Sequence, residues 1–195
     1  SPERREELVR GINEDAEWLI RMVENLLLIT KVEGAARIVK RSEAVEEVVA
    51  EAVQKFHKHY PDRDIEVSAP EELLMAPMDA LLIEQVLFNL LENAVLHGKA
   101  KRIALNVIKD GQEAVLEVRD DGHGIQKPDL PNLFDGYMRR AERASSDDSR
   151  HMGIGLSVCL SIIQAHGGQM EARNVRPNGA LFRFTLPLEE ASDGQ

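Results

Sequence analysis

Residues 118–125 read Val118-Arg119-Asp120-Asp121-Gly122-His123-Gly124-Ile125. The stretch begins as the end of a strand, because Ala114-Val-Leu-Glu-Val-Arg119 leads into it, and it finishes as a loop with two glycines at alternating positions. A carboxylate at the strand end, Asp120, can accept a hydrogen bond from an exocyclic amino group. Gly122 and Gly124 lack a Cβ and so let backbone approach a flat ring closely. Alone, the string is equally an ordinary turn after a strand, and Asp121, one residue off that face, reads as turn chemistry. Its weight comes from its neighbours. Upstream lies Asn89-Leu-Leu-Glu-Asn93-Ala-Val-Leu-His97, and downstream lies Gly153-Ile154-Gly155-Leu156.

Asn89 and Asn93 are four apart, so on a helix both amides point to one face. An amide oxygen there can ligate Mg²⁺, an ion that prefers oxygen and keeps several waters when it rides on nucleotide phosphates. The alternative is that both amides only satisfy nearby backbone. Gly153 and Gly155 precede an apolar helix, and such a loop presents free N–H groups to phosphate. Between these segments, Leu133-Phe134-Asp135-Gly136-Tyr137-Met138-Arg139 places aromatics in a polar stretch. That favours a loop folding back on the domain, with Arg139 able to reach a γ-phosphate or else lying on the surface. In this order and with these gaps, the three segments compose a nucleotide site.

The chain has 195 residues, enough for one sizeable domain plus an appendage, with 43% hydrophobic and 30% charged residues. Its net charge of −10 disfavours nucleic acid as a partner, since it repels the phosphate backbone. The single cysteine, Cys159, excludes an internal disulfide, fits a reducing compartment and reads as a packing residue in its apolar setting. No apolar run approaches the length of a membrane span. His57-Lys-His59 is not a metal pair, because i and i+2 do not share a helix face.

Along the chain, Leu8, Ile12, Leu19, Met22, Leu26 and Ile29 predict a long amphipathic helix over 3–33, with Gly34 as its stop. One helix cannot bury such a stripe, so packing in a helix bundle with another chain is expected. Ile38-Val-Lys-Arg is a candidate strand, and Ser42 a candidate cap for a helix carrying Val45, Val48, Val49, Ala52, Val53 and Phe56. Strands are expected at Asp64–Ser68 and Leu73–Ala76, and a helix capped by Asp79 from there to about His97. A hairpin turning at Asp110-Gly111 follows, then a long mobile loop over 126–150. A helix from about Gly155 to His166 and two strands, 168–173 and 180–187, close the chain. The expected architecture is a two-layer α/β sandwich, a mixed sheet with helices on one face, preceded by the long helix.

These motifs resemble the N, G1 and G2 boxes of the histidine-kinase branch of the gyrase/Hsp90/histidine-kinase/MutL (GHKL) ATP-binding superfamily. Residues 3–33 resemble the second helix of the dimerisation and phosphotransfer hairpin of sensor histidine kinases, through Met22-Val-Glu-Asn-Leu-Leu-Leu-Ile-Thr-Lys-Val-Glu-Gly34. The wording of that helix and of the N box is nearest to the potassium-responsive Kdp-type sensor kinases. The resemblance implies a hairpin helix over 1–34 and a catalytic ATP-binding domain over 35–195, with an ATP lid at about 126–152. It also implies that Asn93 is the Mg²⁺ ligand, with Asn89 its partner near the phosphates, and that Asn89, Asn93 and Arg139 are the catalytic residues. Asp120 would read adenine, in a pocket shaped by Gly122 and Gly124 with His97 and Ile125 beside them. Phe134 and Tyr137 would form the F box, and Gly153, Ile154, Gly155 and Leu156 would close over the phosphates.

The reaction so implied moves the ATP γ-phosphate to a histidine nitrogen, then to an aspartate of a response regulator receiver domain. Homodimerisation through the hairpin, an inner- or plasma-membrane anchor elsewhere in the full-length protein, and a cytoplasmic position for this domain are implied with it. There are three departures. Leu96 stands where the N box usually carries Lys, His151 stands where the G2 box usually opens with Gly, and no His-Glu-x-x-Thr-Pro-like phosphoacceptor run is present. Lys99 or Lys101 could replace the missing phosphate contact. Two rival readings are a GHKL ATPase that drives a conformational clamp and a degenerate nucleotide-binding or scaffold module. Asn89 argues against the first, because an amide is a poor base for activating water.

Overall fold

The hairpin that delivers Asp120 is the centre of the sheet. In the computed structural model, β4 (Arg102–Asp110) and β5 (Glu113–Asp120) pair antiparallel from Asp110↔Glu113 to Ile103↔Asp120, with Gly111 at φ +60° in the turn. The structure describes residues 38–135 and 153–189, together with Arg4, Arg5, Val9 and Val23, four isolated helical positions of the N-terminal segment. The expected stripe over 3–33, Tyr137, Arg139 and His151 lie outside the described residues.

Among the described residues, three helices and the remaining strands are arranged around that hairpin. They are β1 (Arg41–Ala44), α1 (Val45–His59), β2 (Asp64–Ser68), β3 (Met75–Met78), α2 (Ala80–Leu96), α3 (Gly153–Ala165), β6 (Met170–Asn174) and β7 (Ala180–Pro187). The main sheet runs β2-β4-β5-β7-β6, with β2 parallel to β4 and every other pair antiparallel. β1 and β3 form a separate antiparallel pair.

Period-2 alternation explains which face is covered. Ile103, Leu105 and Val107 of β4, Leu116 and Val118 of β5, and Phe182, Phe184 and Leu186 of β7 are buried, and the strand registers stack them on one face. Against them pack Leu82, Ile83, Val86, Leu87, Leu90 and Leu91 of α2 and Val158, Cys159, Ile162 and Ile163 of α3. Each such Leu, Ile, Val or Phe contributes about 1.5–3 kcal/mol by leaving water. α1 lies beside α2, and Phe56 stacks on Tyr60 at 4.9 Å between ring centroids and meets Phe88 edge-on. The expected mixed sheet and two-layer α/β sandwich are therefore observed. Among the described residues, no helix is long and apolar enough to cross a membrane.

Five expectations are corrected. The first strand is 41–44, not 38–41, so Ser42 is a strand residue whose hydroxyl donates to Glu189 at 2.7 Å and does not cap α1. The α1 N-cap is Ala44, and the Leu74 carbonyl accepts the Val45 N–H at 2.9 Å instead of a side chain. The third strand is 75–78, not 73–76. Leu74 turns away to donate its N–H to the Glu46 carboxylate at 3.2 Å, and Leu73 is exposed. α3 starts at Gly153 rather than Gly155, and a 3-10 turn, Leu130–Asn132, interrupts the region read as loop. Leu133 is buried in the core and Phe134 packs against it.

Candidate nucleotide site

Asp120 is one of two buried polar or charged side chains among the described residues, at 5% exposure, because it sits on the core-facing side of β5 where the sheet ends. Its Oδ1 accepts the Gly122 N–H at 2.8 Å. Burial raises its pKa above the ordinary carboxylate range, opposed by hydrogen bonds from the Gly122 and Ala180 backbone. Asp121 differs entirely. Its Oδ1 accepts the N–H groups of Lys101 and Arg102 at 2.8 and 3.0 Å, and those bonds, Arg102 first, lower its pKa. It pins the start of β4 to the loop, as its reading as turn chemistry implied.

A cavity of about 340 Å³, open solvent at its mouth included, lies over Asp120. Of the residues selected from sequence, Asn93, His97, Asp120, Gly124, Ile125 and Leu156 line it. The α2 helix brings Asn93 and His97, one turn apart, to its rim. Gly122 stands behind the wall, against Gly98. A Cβ there would overlap the Gly98 carbonyl, which also accepts the His123 N–H at 3.1 Å. The His123 ring donates through Nδ1–H to the Gly124 carbonyl at 2.8 Å.

The two amides of α2 are in different states. Among the described residues the Asn93 side chain has no hydrogen-bond partner and faces the cavity, half-buried. The Asn89 amide is already used, since its Oδ1 accepts from Gln85 at 3.0 Å and its Nδ2 donates to the Cys159 sulfur at 3.7 Å. Cys159 is fully buried, which pushes its thiol up to about 12. Asn89 is therefore joined to α3 rather than to the cavity. Phe134 packs half-buried against the core, and Leu96 ends α2 exposed. Lys99 follows in the left-handed region at φ +52° and is exposed. α3 opens at Gly153, so Ile154 and Gly155 lie within its first turn rather than in a loop before it.

Sequence reasoning missed four residues of the wall, Gly98, His123, Ala180 and Phe182. Ala180 and Phe182 are brought there by the β5–β7 register, Val118↔Phe182, which no local pattern reveals. Gly98 had a signal, as a glycine just past the end of a helix.

The family model described as "Histidine kinase-, DNA gyrase B-, and HSP90-like ATPase" matches residues 78–190, a span that holds the whole cavity. The chain is 46% identical over 188 residues to the sensor protein KdpD of Clostridium acetobutylicum, covering 95% of this chain and 21% of that protein. It thus spans about a fifth of that relative's length. Among solved structures, it superposes on the Acinetobacter baumannii histidine kinase AdeS with a TM-score of 0.71 at 22% identity, covering 94% of this chain and 85% of that one. It superposes on full-length ShkA in complex with AMPPNP with a TM-score of 0.72 at 21% identity, covering 94% and 38%. At those identities the two structures establish the fold.

Proposed function

The chain belongs to the histidine kinase-, DNA gyrase B-, and HSP90-like ATPase family, and from that premise we propose that it is the ATP-binding catalytic unit of a two-component sensor histidine kinase. The observation that carries the proposal is the buried Asp120 carboxylate beneath a cavity also lined by the Asn93 amide, which has no hydrogen-bond partner among the described residues. Asp120 is held by backbone donors and keeps lone pairs for the exocyclic amine of adenine. Gly122 and Gly98 keep side chains off the wall, and Ile125, Leu156 and Phe182 supply apolar surface for a flat base.

Asn93 presents one amide oxygen, the donor type that suits Mg²⁺, and it is four residues before His97 on the same rim. Mg²⁺ bound with the nucleotide would neutralise phosphate charge. On this reading Arg139 approaches the γ-phosphate, with Tyr137, Gly153, Ile154 and Gly155 around it and Asn89 behind Asn93. The acceptor is a histidine on the hairpin's first helix, and the phosphoryl group passes on to an aspartate of a response regulator. Dimerisation through the hairpin, the membrane anchor of the whole protein and the cytoplasmic setting of this domain belong to the same proposal. The named relative, KdpD, is a sensor protein, and ShkA is a structure with AMPPNP; both support it.

One observation favours the kinase over a clamp ATPase. A hydrolase needs a base near the γ-phosphate, and the Asn89 amide is held by Gln85 and Cys159 and takes up no proton. The test supplies the acceptor hairpin in trans with γ-labelled ATP. Label on the hairpin histidine, with slow phosphate release in its absence, is expected. Rapid phosphate release with no labelled hairpin would establish the ATPase instead.

A further inference from the structure

We propose that Asn174 and Asn178, on the β6–β7 hairpin, are positioning residues that hold the Asp120–Ile125 loop in the shape that receives a purine base. The inference deepens the ATP-binding reading of the cavity and rests on it. Past Asp120 the chain leaves the sheet: the Asp121 and His123 N–H groups still reach the Arg102 and Gly98 carbonyls, but the Asp121 and Gly122 carbonyls and both backbone groups of Ile125 must find partners elsewhere.

Two side-chain amides provide them. Asn174, the last residue of β6, accepts the Ile125 N–H on Oδ1 at 2.7 Å and donates from Nδ2 to the Ile125 carbonyl at 2.7 Å. It thereby pairs with Ile125 through both backbone groups, as a neighbouring strand would. Asn178 donates from Nδ2 to the Asp121 and Gly122 carbonyls, the latter at 3.1 Å. Between them the hairpin is closed by Val175 N–H to the Gly179 carbonyl at 3.0 Å, and Gly179 lies directly on the Asp120 carbonyl. Gly124, at φ +77°, leaves room for this approach, since a Cβ there would stand 2.7 Å from Asn174 Oδ1.

Both asparagines are exposed, so packing does not require them. Their geometry serves the loop. Asn174 grips Ile125, and Ile125 and Gly124 line the cavity. Losing either amide frees the wall that a base would contact and leaves the phosphate side intact. Aspartate at 174 would not substitute, because it cannot donate to the Ile125 carbonyl.

The experiment measures binding of non-hydrolysable ATP and GTP analogues by the parent chain, Asn174→Ala, Asn178→Ala and Asn174→Asp, with melting temperature and amide exchange at Ile125. We expect each variant to bind the ATP analogue about tenfold more weakly, as befits the loss of one or two hydrogen bonds. The preference for ATP over GTP should narrow, Ile125 exchange should accelerate in Asn174→Ala, which loses the acceptor of that N–H, and the melt should stay close to that of the parent. If the parent binds the ATP analogue and the variants match it in affinity and preference, the positioning role is overturned. A loss of affinity that tracks a lower melt and spares the ATP/GTP preference overturns it too, in favour of a structural role. If the parent binds neither analogue, the nucleotide reading beneath it falls instead.

Discussion

Two adjacent aspartates show how environment sets role. Asp120 faces the core and the cavity, and burial raises its pKa, whereas Asp121 is more open and backbone donors lower its own. The sequence distinguished them by strand parity, since only one of two successive residues can face inward. It could not show that Asn89 is saturated by Gln85 and Cys159, because Cys159 is seventy residues away. Nor could it show that Gly122 is needed for its contact with Gly98 rather than with a ligand. That contact gives a residue-scale prediction. Gly122→Ala drives a methyl group into the Gly98 carbonyl, and should cost about 1–3 kcal/mol of stability, the usual range for overpacking, besides deforming the cavity. Urea unfolding and ATP-analogue titration check it, and a variant with the parent's midpoint and affinity would refute the contact.

At the scale of elements, the long periodic segments were legible and the short ones were not. α2 declares itself through Asp79, which accepts the Leu82 N–H at 3.2 Å, and through its apolar face. β1 and β3 have four residues each and pair with one another outside the main sheet, so their limits follow from a cross-strand register and from Glu46 holding Leu74. His166 joins two of the elements that frame the site. Its Nδ1–H donates to the Ile162 carbonyl at 2.7 Å and its Nε2 accepts the Asp79 N–H at 3.0 Å, tying the end of α3 to the cap of α2. The bond from Asp79 needs the neutral ring, since a protonated Nε2 cannot accept it, and burial lowers the His166 pKa below 6.5, opposed by the Ile162 bond and by Asp79 while Lys40 adds to it. The unfolded chain therefore takes up the proton first. The stability that His166 contributes is full above pH 6.5 and is lost as pH falls from there through the folded-state pKa. Melting temperature should drop between pH 7.5 and 5.5 more steeply in the parent than in His166→Gln, and parallel profiles would count against this tie.

For the whole molecule, topology does what no segment could. The parallel β2–β4 pairing and the insertion of β7 between β5 and β6 bring residues from 93, 120, 156 and 182 to one cavity. The order of the boxes was visible along the chain, and the fold class followed from alternation and turns, but the Ala180–Phe182 wall depended on non-local register. A net charge of −10 is unfavourable for a polyphosphate unless it is offset locally. Binding should accordingly depend on a divalent cation acting with Asn93. The decisive measurement is a calorimetric titration of the chain with a non-hydrolysable ATP analogue, with and without Mg²⁺, repeated on Asp120→Ala and Asn93→Ala. The account predicts Mg²⁺-enhanced binding by the parent, loss of binding in Asp120→Ala, and loss of the Mg²⁺ enhancement in Asn93→Ala. Binding by Asp120→Ala equal to that of the parent, or none by the parent, would contradict it.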